Sequence, residues 1–208
     1  MYHLKRIKTL QYWVLSFSLL FGVSALAKGN NEVADAQKHV MRVTSGVVKK
    51  LGVDKAKYQR DAKFLDAMIR RDMLPFIDFD AMSKLTLGKH WRKASPAQRV
   101  RFTNAYRNML VRSYGKIMFK YAGASIRAGN SIKGRKAGYV KVRTIVTPRG
   151  GAPIAANYDV RNTSGSWKAY NVQVGGINIM TNFRTNFTRE VSQKGLDALI
   201  ARLEKIKR

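Results

Sequence analysis

The stretch from Trp167 to Phe187 constrains this chain most: a period-two strand runs through a Gly-Gly pair straight into an apolar segment of helical spacing. Strict alternation predicts Trp167, Ala169 and Asn171 on one face and Lys168, Tyr170, Val172 and Val174 on the other. Gly175-Gly176 turns the chain, and the helix that follows carries one early charge, Arg184. A strand that turns directly into an apolar helix supplies the wall and floor of a concave apolar site.

The strand belongs to a longer run of period two that begins at Ser125. Strands are predicted at Ser125–Ile132, Tyr139–Thr147, Pro153–Arg161 and Ser166–Val174, with turns at Lys133-Gly134, Pro148 to Gly151 and Thr163 to Gly165. Turns this short make an antiparallel meander. Val140, Val142 and Val146 alternate with Lys141 and Arg143, so one face is buried under helix and the other is polar.

Helical spacing precedes the sheet. Glu32–Leu51 presents Val33, Val40, Val43, Val47 and Val48, and Gly52 ends it. Asp54–Asp72 presents Tyr58, Phe64, Leu65, Met68 and Ile69 and stops before Pro75. Asp78 is a natural N-cap for a short helix through Leu87, closed by Gly88. Ser95-Pro96-Ala97-Gln98 is a capping box with proline at the first helical position. The helix it starts reaches about Tyr121, roughly 40 Å, with Val100, Phe102, Ala105, Tyr106, Met109, Leu110, Ile117 and Met118 inward. Helices at Asn178–Lys194 and Leu196–Ile206 close the chain. The expected fold is α+β: a twisted, four-stranded antiparallel meander covered by helices on one side. Its order is helical residues 28–123, sheet 124–175 and C-terminal helices 176–208.

Residues 1–27 read as a cleaved secretory signal: basic Lys5, Arg6 and Lys8, an apolar core from Trp13 to Val23, and Ala25-Leu26-Ala27 as the cleavage box. Losing them removes little of the formal charge of +28. An exported chain with no cysteine is held by its core alone. Nucleic acid is the reflex partner of so basic a chain, but export points instead to anionic membrane surfaces or lipopolysaccharide.

No catalytic constellation stands out. His39 reads as a surface residue and His90, beside Trp91, as a packed corner. No His or Cys spacing suggests a metal, and no phosphate loop or nucleophile elbow is present. The one enzymatic alternative is a small α+β cone with a buried carboxylate, for which Asp159 is the candidate. The binding alternative rests on apolar surplus near the sheet–helix seam: Phe76, Phe79, Leu87, Trp91, Phe102, Tyr106, Leu110, Val142, Ile154, Tyr158, Val174, Ile177, Ile179, Met180 and Phe183. Periodicity defines the seam; whether it is filled or hollow depends on packing.

The order of several motifs resembles the MlaC-type periplasmic phospholipid-binding proteins, the toluene-tolerance family. Leu74-Pro75-Phe76-Ile77-Asp78-Phe79 is similar to their L-P-x-x-D-F/Y. Leu87-Gly88-Lys89-His90-Trp91-Arg92 resembles L-G-x-x-W-R, followed by Pro96, Gln98, Arg99 and Phe102 for P-x-Q-R and F. Trp167-Lys168 opens the W-K-V-Y-D-V segment, and Gly195-Leu196-Asp197 with Leu199 matches the closing G-L-D-x-L. Two departures sit in the key stretch: Asn171 replaces the usual Asp, and Gly176-Ile177-Asn178-Ile179 replaces G-V-S-L.

The resemblance implies a carrier, not an enzyme, with phospholipid as cargo and no cofactor. Acyl tails would lie in an apolar pocket between sheet and helices, lined by the seam residues named above. Basic rim residues, for which Arg143 and Arg184 are the candidates, would meet the head-group phosphate. It implies a monomer in the periplasm that exchanges lipid with an outer-membrane lipoprotein–porin complex and an inner-membrane ABC-type transporter. The competing expectation is a solid-cored basic protein that binds polyanions at its surface.

Overall fold

The computed structural model describes residues 20–206. Most of the expected signal, residues 1–19, lies outside the described residues. Helix α1 (Leu20–Val53) is already formed where the description begins and continues past the expected Glu32 start. The single helix expected over Asp54–Asp72 is broken into α2 (Lys55–Arg60), α3 (Ala62–Met68) and a π-helical turn, Ile69–Met73. The break is at Asp61, whose extended backbone (φ −121°, ψ 99°) lets its carboxylate accept the amides of Lys63 and Phe64. An aspartate that can cap its own following turn ends one helix and starts the next.

A 3-10 turn, Leu74–Phe76, leads to α4 (Phe79–Leu87), where Asp78 caps the Ala81 amide at 3.0 Å and Gly88 closes the helix at φ 54°. A short α5 (Lys89–Lys93) is followed by α6 (Pro96–Gly115). The capping box forms as expected: Ser95 Oγ accepts the Gln98 amide and Gln98 Oε1 accepts that of Ser95. Beyond Gly115 the chain tightens into a 3-10 segment, Lys116–Tyr121, which turns Ile117 outward to 43% exposure. Val100 is also outside, 62% exposed, because two residues before Phe102 is the far side of the helix.

The sheet holds β1 (Ser125–Ala128), β2 (Ile132–Lys133), β3 (Tyr139–Thr147), β4 (Ile154–Thr163), β5 (Ser166–Val174) and β6 (Ile177–Asn178). The order is β1-β3-β4-β5-β6, with β2 also on β3, and all pairs are antiparallel. The expected meander is present, with six strands in place of four. The first expected strand is interrupted where Gly129 donates to the Arg143 carbonyl at 2.7 Å, and a two-residue β6 is added after Gly175-Gly176. Helices α7 (Ile179–Lys194) and α8 (Leu196–Lys205) complete the chain around Gly195.

Alternation in β5 is not strict. Asp159 of β4 pairs with Asn171 and Val160 with Ala169, so Tyr170 is an extra residue. This β-bulge shifts the phase. Trp167 and Ala169 before it, and Val172 and Val174 after it, all oppose residues of one β4 face: Asn162, Val160, Tyr158 and Ala156. The predicted division of β5, with Trp167 and Ala169 opposite to Val172 and Val174, is therefore corrected. Asn171 pairs with Asp159 on the other, polar face.

Among the described residues, three apolar clusters hold the fold together. Ala36 and Val40 of α1 cover Val140, Val142, Val160, Trp167 and Ala169, joined by Phe76. Leu87, Phe102, Tyr106, Phe187, Leu199 and Ile200 form a helical core between α4, α6, α7 and α8. Val47, Leu51, Tyr58, Leu65, Met68 and Ile69 join α1 to the helices after it. His39 is not simply a surface residue: its half-buried ring lies 5.9 Å from that of Phe76. Burial, with Arg42 alongside, lowers its pKa.

The π-helical turn is tied down by charge. Asp72 meets Arg71 and the α1 residue Lys50, both at 2.9 Å. The Arg71 hydrogen bond, reinforced by Lys50, depresses its pKa from 3.8 to about 2. A depressed carboxylate stabilises the fold above its unfolded pKa, and the contribution fades as pH falls through the folded value. Protection of the Ile69–Met73 amides against hydrogen exchange, relative to the intrinsic rate at each pH, is therefore expected to fall between about pH 4 and pH 2 in the wild type, with a smaller change in Asp72→Asn.

Candidate functional site

Where β5 meets the helices, packing is incomplete. A cavity of about 110 Å³ lies between Val172 of β5, the turns from Ile69 to Ile77, the start of α4 at Phe79 and Met82, the end of α6, and Ile179 of α7. Leu110, Val111, Tyr114 and Gly115 come from α6 and Met118 from the 3-10 segment after it. The exposed lining is apolar. The bulge at Tyr170 puts Val172 on this side, and the π-helical turn brings Ile69 and Met73 to the opposite wall. A π-turn interrupts the regular ladder of a helix and recurs at functional sites.

At about 110 Å³ the cavity is smaller than an engineered apolar cavity of ~150 Å³ that binds one benzene. A chain of many methylenes enters only if the walls part. The lining is suited to that, with three flexible methionines, Met73, Met82 and Met118. Gly115 also keeps α6 close to the third cluster, since a Cβ there would come within 3.2 Å of Ile69 Cδ1.

Among the seam residues, Leu110 and Ile179 line this cavity, as does Phe79. Leu87, Phe102 and Tyr106 are instead solid core of the helical cluster, with Trp91 and Phe183 packed at its edge. Phe183 stacks edge-on to Tyr106 and to Tyr114, so it adjoins the cavity through Tyr114. Phe76 and Val142 are buried under α1, and Tyr158 packs against them. Ile154, Val174 and Met180 are partly buried, and Ile177 is 63% exposed. The lining residues that sequence reasoning missed are Ile69, Met73, Leu74, Ile77, Met82, Val111, Tyr114, Gly115, Met118 and Val172. The signal for Leu74 and Ile77 was the run from Leu74 to Asp80, denser in apolar residues than a solvent loop.

The rim candidates lie apart. Arg143 is exposed on the open face of β3, opposite Asn157, whereas Arg184 is exposed on α7 with its guanidinium against Gly88. Asp159, the enzymatic candidate, is not in the cavity. It pairs with Lys141 at 2.7 Å and accepts from Asn171 Nδ2 at 2.8 Å on the polar face. That contact explains one departure from the family pattern: an amide at 171 donates to Asp159, where a second carboxylate would repel it. The other departure is conservative, because Asn178 caps α7 by accepting the Thr181 amide at 2.9 Å, as a serine would. Burial lowers the pKa of His90, and its Nε2 is buried without a hydrogen-bond partner. No group of three or more potential metal ligands exists among the described residues, and none of their helices is long and apolar enough to cross a membrane.

Comparison with known proteins agrees with this arrangement. The family model described as MlaC protein matches residues 41–205. The toluene tolerance protein ttg2D of Pseudomonas putida is 30% identical over 76% of this chain and 74% of its own. The intermembrane phospholipid transport system binding protein MlaC of Haemophilus influenzae is 21% identical over 89% of each chain. A phospholipid-binding protein from Ralstonia solanacearum, solved in complex with a phospholipid, superposes with a TM-score of 0.74 at 20% identity, covering 82% of this chain and 95% of that one. At that identity the likeness establishes the fold, while the family model spans nearly all of the described chain: the protein belongs to the MlaC family.

Proposed function

We propose that this protein is a periplasmic carrier that holds phospholipid acyl chains in the cavity between β5, α6 and α7 and shuttles lipid between the outer and inner membranes. The observation that carries the reading is the apolar cavity at the strand-to-helix junction, in a chain whose relatives are named for phospholipid binding and transport. Each methylene moved out of water is worth about 0.8 kcal/mol, so two acyl tails need a continuous apolar lining to cross an aqueous space. Methylene contacts discriminate weakly, which suits a carrier that accepts several acyl lengths. The tails enter as α7 and the π-helical turn part, and the seam residues at the edge of the cavity join its wall. Arg184, without a carboxylate partner among the described residues, and Arg143 are the candidates for the head-group phosphate.

Residues 1–27 act as the export signal and are removed. The carrier works as a monomer that docks in turn with an outer-membrane lipoprotein–porin complex and an inner-membrane ABC-type transporter, and performs no catalysis. Native mass spectrometry of protein exported to the periplasm tests the core of this reading. A phospholipid in whole-number stoichiometry that survives high salt is expected. A bare mass, unchanged after incubation with vesicles, would leave surface binding of polyanions as the better account, since only that binding weakens with ionic strength.

The Gly175-Gly176 turn is the hinge for opening. Both residues have positive φ, 56° and 83°, and space lies open around them. Gly176→Ala meets no neighbour but disfavours that backbone by about 1–2 kcal/mol. Slower lipid exchange between carrier and vesicles at undiminished occupancy is expected; unchanged exchange rates would remove the turn from the mechanism.

A further inference from the structure

Two isoleucines stand in solvent at the border of the cavity, one from each wall. Ile177 is 63% exposed and sits in β6 two residues before Ile179, which lines the cavity. It pairs with Val174, so it projects from the same sheet face as cavity-lining Val172. On the other wall Ile117 is 43% exposed and directly precedes Met118, another lining residue. Neither is needed by the core.

The segments that carry them hold charge of one sign. Residues 172–189 contain Arg184 and Arg189 but no acid, and the chain has no Asp or Glu between Asp80 and Asp159, so α6 and the 3-10 segment carry only cations. Lys120 and Arg184 are exposed on the two walls. Paired apolar tips within a cationic border fit the interface of an anionic bilayer, where the tips reach the acyl region and the cations face lipid phosphates.

We propose that this rim, Ile177 on the Gly175-Gly176 hairpin and Ile117 next to Met118 on the other wall, docks directly on an anionic phospholipid bilayer and places the cavity over its lipids. The proposal rests on the carrier reading and extends it: lipid is taken from or returned to the membrane surface itself, at the open edge of the hairpin. The occupant follows from the charge and from continuity with the lipid cavity.

The absence of cysteine makes a direct test simple. A polarity-sensitive fluorophore is attached to Ile177→Cys in the mature protein, and vesicles of phosphatidylethanolamine with phosphatidylglycerol are added. A blue shift is expected, reduced in pure phosphatidylcholine vesicles. In co-sedimentation, Ile177→Ser should partition at least about tenfold more weakly than wild type. Ile132→Ser, exposed at the opposite edge of the sheet, serves as control and should bind as wild type. No shift at position 177, or equal losses in the Ile177 and Ile132 variants, overturns the docking surface even if the protein carries lipid. Absence of lipid from the wild type is the separate result that overturns the carrier.

Discussion

Val111→Trp is expected to yield a folded protein that copurifies with little or no phospholipid. Val111 lines the cavity from α6, and an indole there occupies much of a space of about 110 Å³. Excluding even three methylenes removes about 2.4 kcal/mol of tail burial, roughly fiftyfold in affinity. Overpacking costs the fold about 1–3 kcal/mol, which a chain of this size can absorb. The comparison is native mass spectrometry and circular dichroism on the same preparations. Met118→Trp, which enters from the next segment, should behave alike. A folded Val111→Trp that retains its full lipid complement would place the tails elsewhere, and the seam residues Ile154, Val174 and Met180 would become the next region to block.

Asp78→Ala is expected to lower the melting temperature by about 5–12 °C, the largest loss from any single polar side chain described above. Asp78 is 8% exposed and does two things at once. One carboxylate oxygen caps α4 at the Ala81 amide, and the other accepts from Arg161 Nε at 2.5 Å across the sheet. Its own amide donates to the Ala169 carbonyl at 2.8 Å, and Ile77 bridges to the same β5 residue. The cap is worth about 1 kcal/mol. Breaking a fully buried ion pair costs about 3–5 kcal/mol, and the share expected here is smaller because Arg161 is a third exposed. Asp78→Asn keeps a capping oxygen and loses the charge, so it should fall between wild type and alanine. Equal melting temperatures for the alanine and asparagine variants would assign the whole effect to the ion pair with Arg161.

Local signals carried much of this fold. The capping box at Ser95, the Asp78 cap and the Gly88 stop each depend on one or two residues acting on neighbouring backbone, and all appear where the sequence places them. The π-helical turn was hidden because Ile69 to Met73 has ordinary helical composition; its shape follows from packing and from Asp72 reaching Lys50 on another helix. The site was half legible for a related reason. Hydrophobicity marks Phe102, Tyr106 and Leu110 alike, yet only Leu110 borders empty space, while the two aromatics are consumed by Phe187 and by each other. Cavities are defined by what neighbouring elements fail to fill, a property of tertiary geometry that periodicity along one element does not encode.

The additional residue in β5 bears on which changes in length the chain can tolerate. Deleting Tyr170 would remove the residue of β5 that β4 leaves unpaired and restore uniform alternation without turning any neighbour over. Ala169 and Asn171 would become adjacent, so Trp167, Ala169, Val172 and Val174 would still share one face and Asn171 and Gln173 the other. A one-codon deletion at Tyr170 would thus keep the polarity of the floor, whereas one further residue that entered the pairing would shift the phase and turn Asn171 and Gln173 toward the methionines. Insertions in this strand, more than a single-residue gap at the bulge, should mark relatives that have given up an apolar cargo.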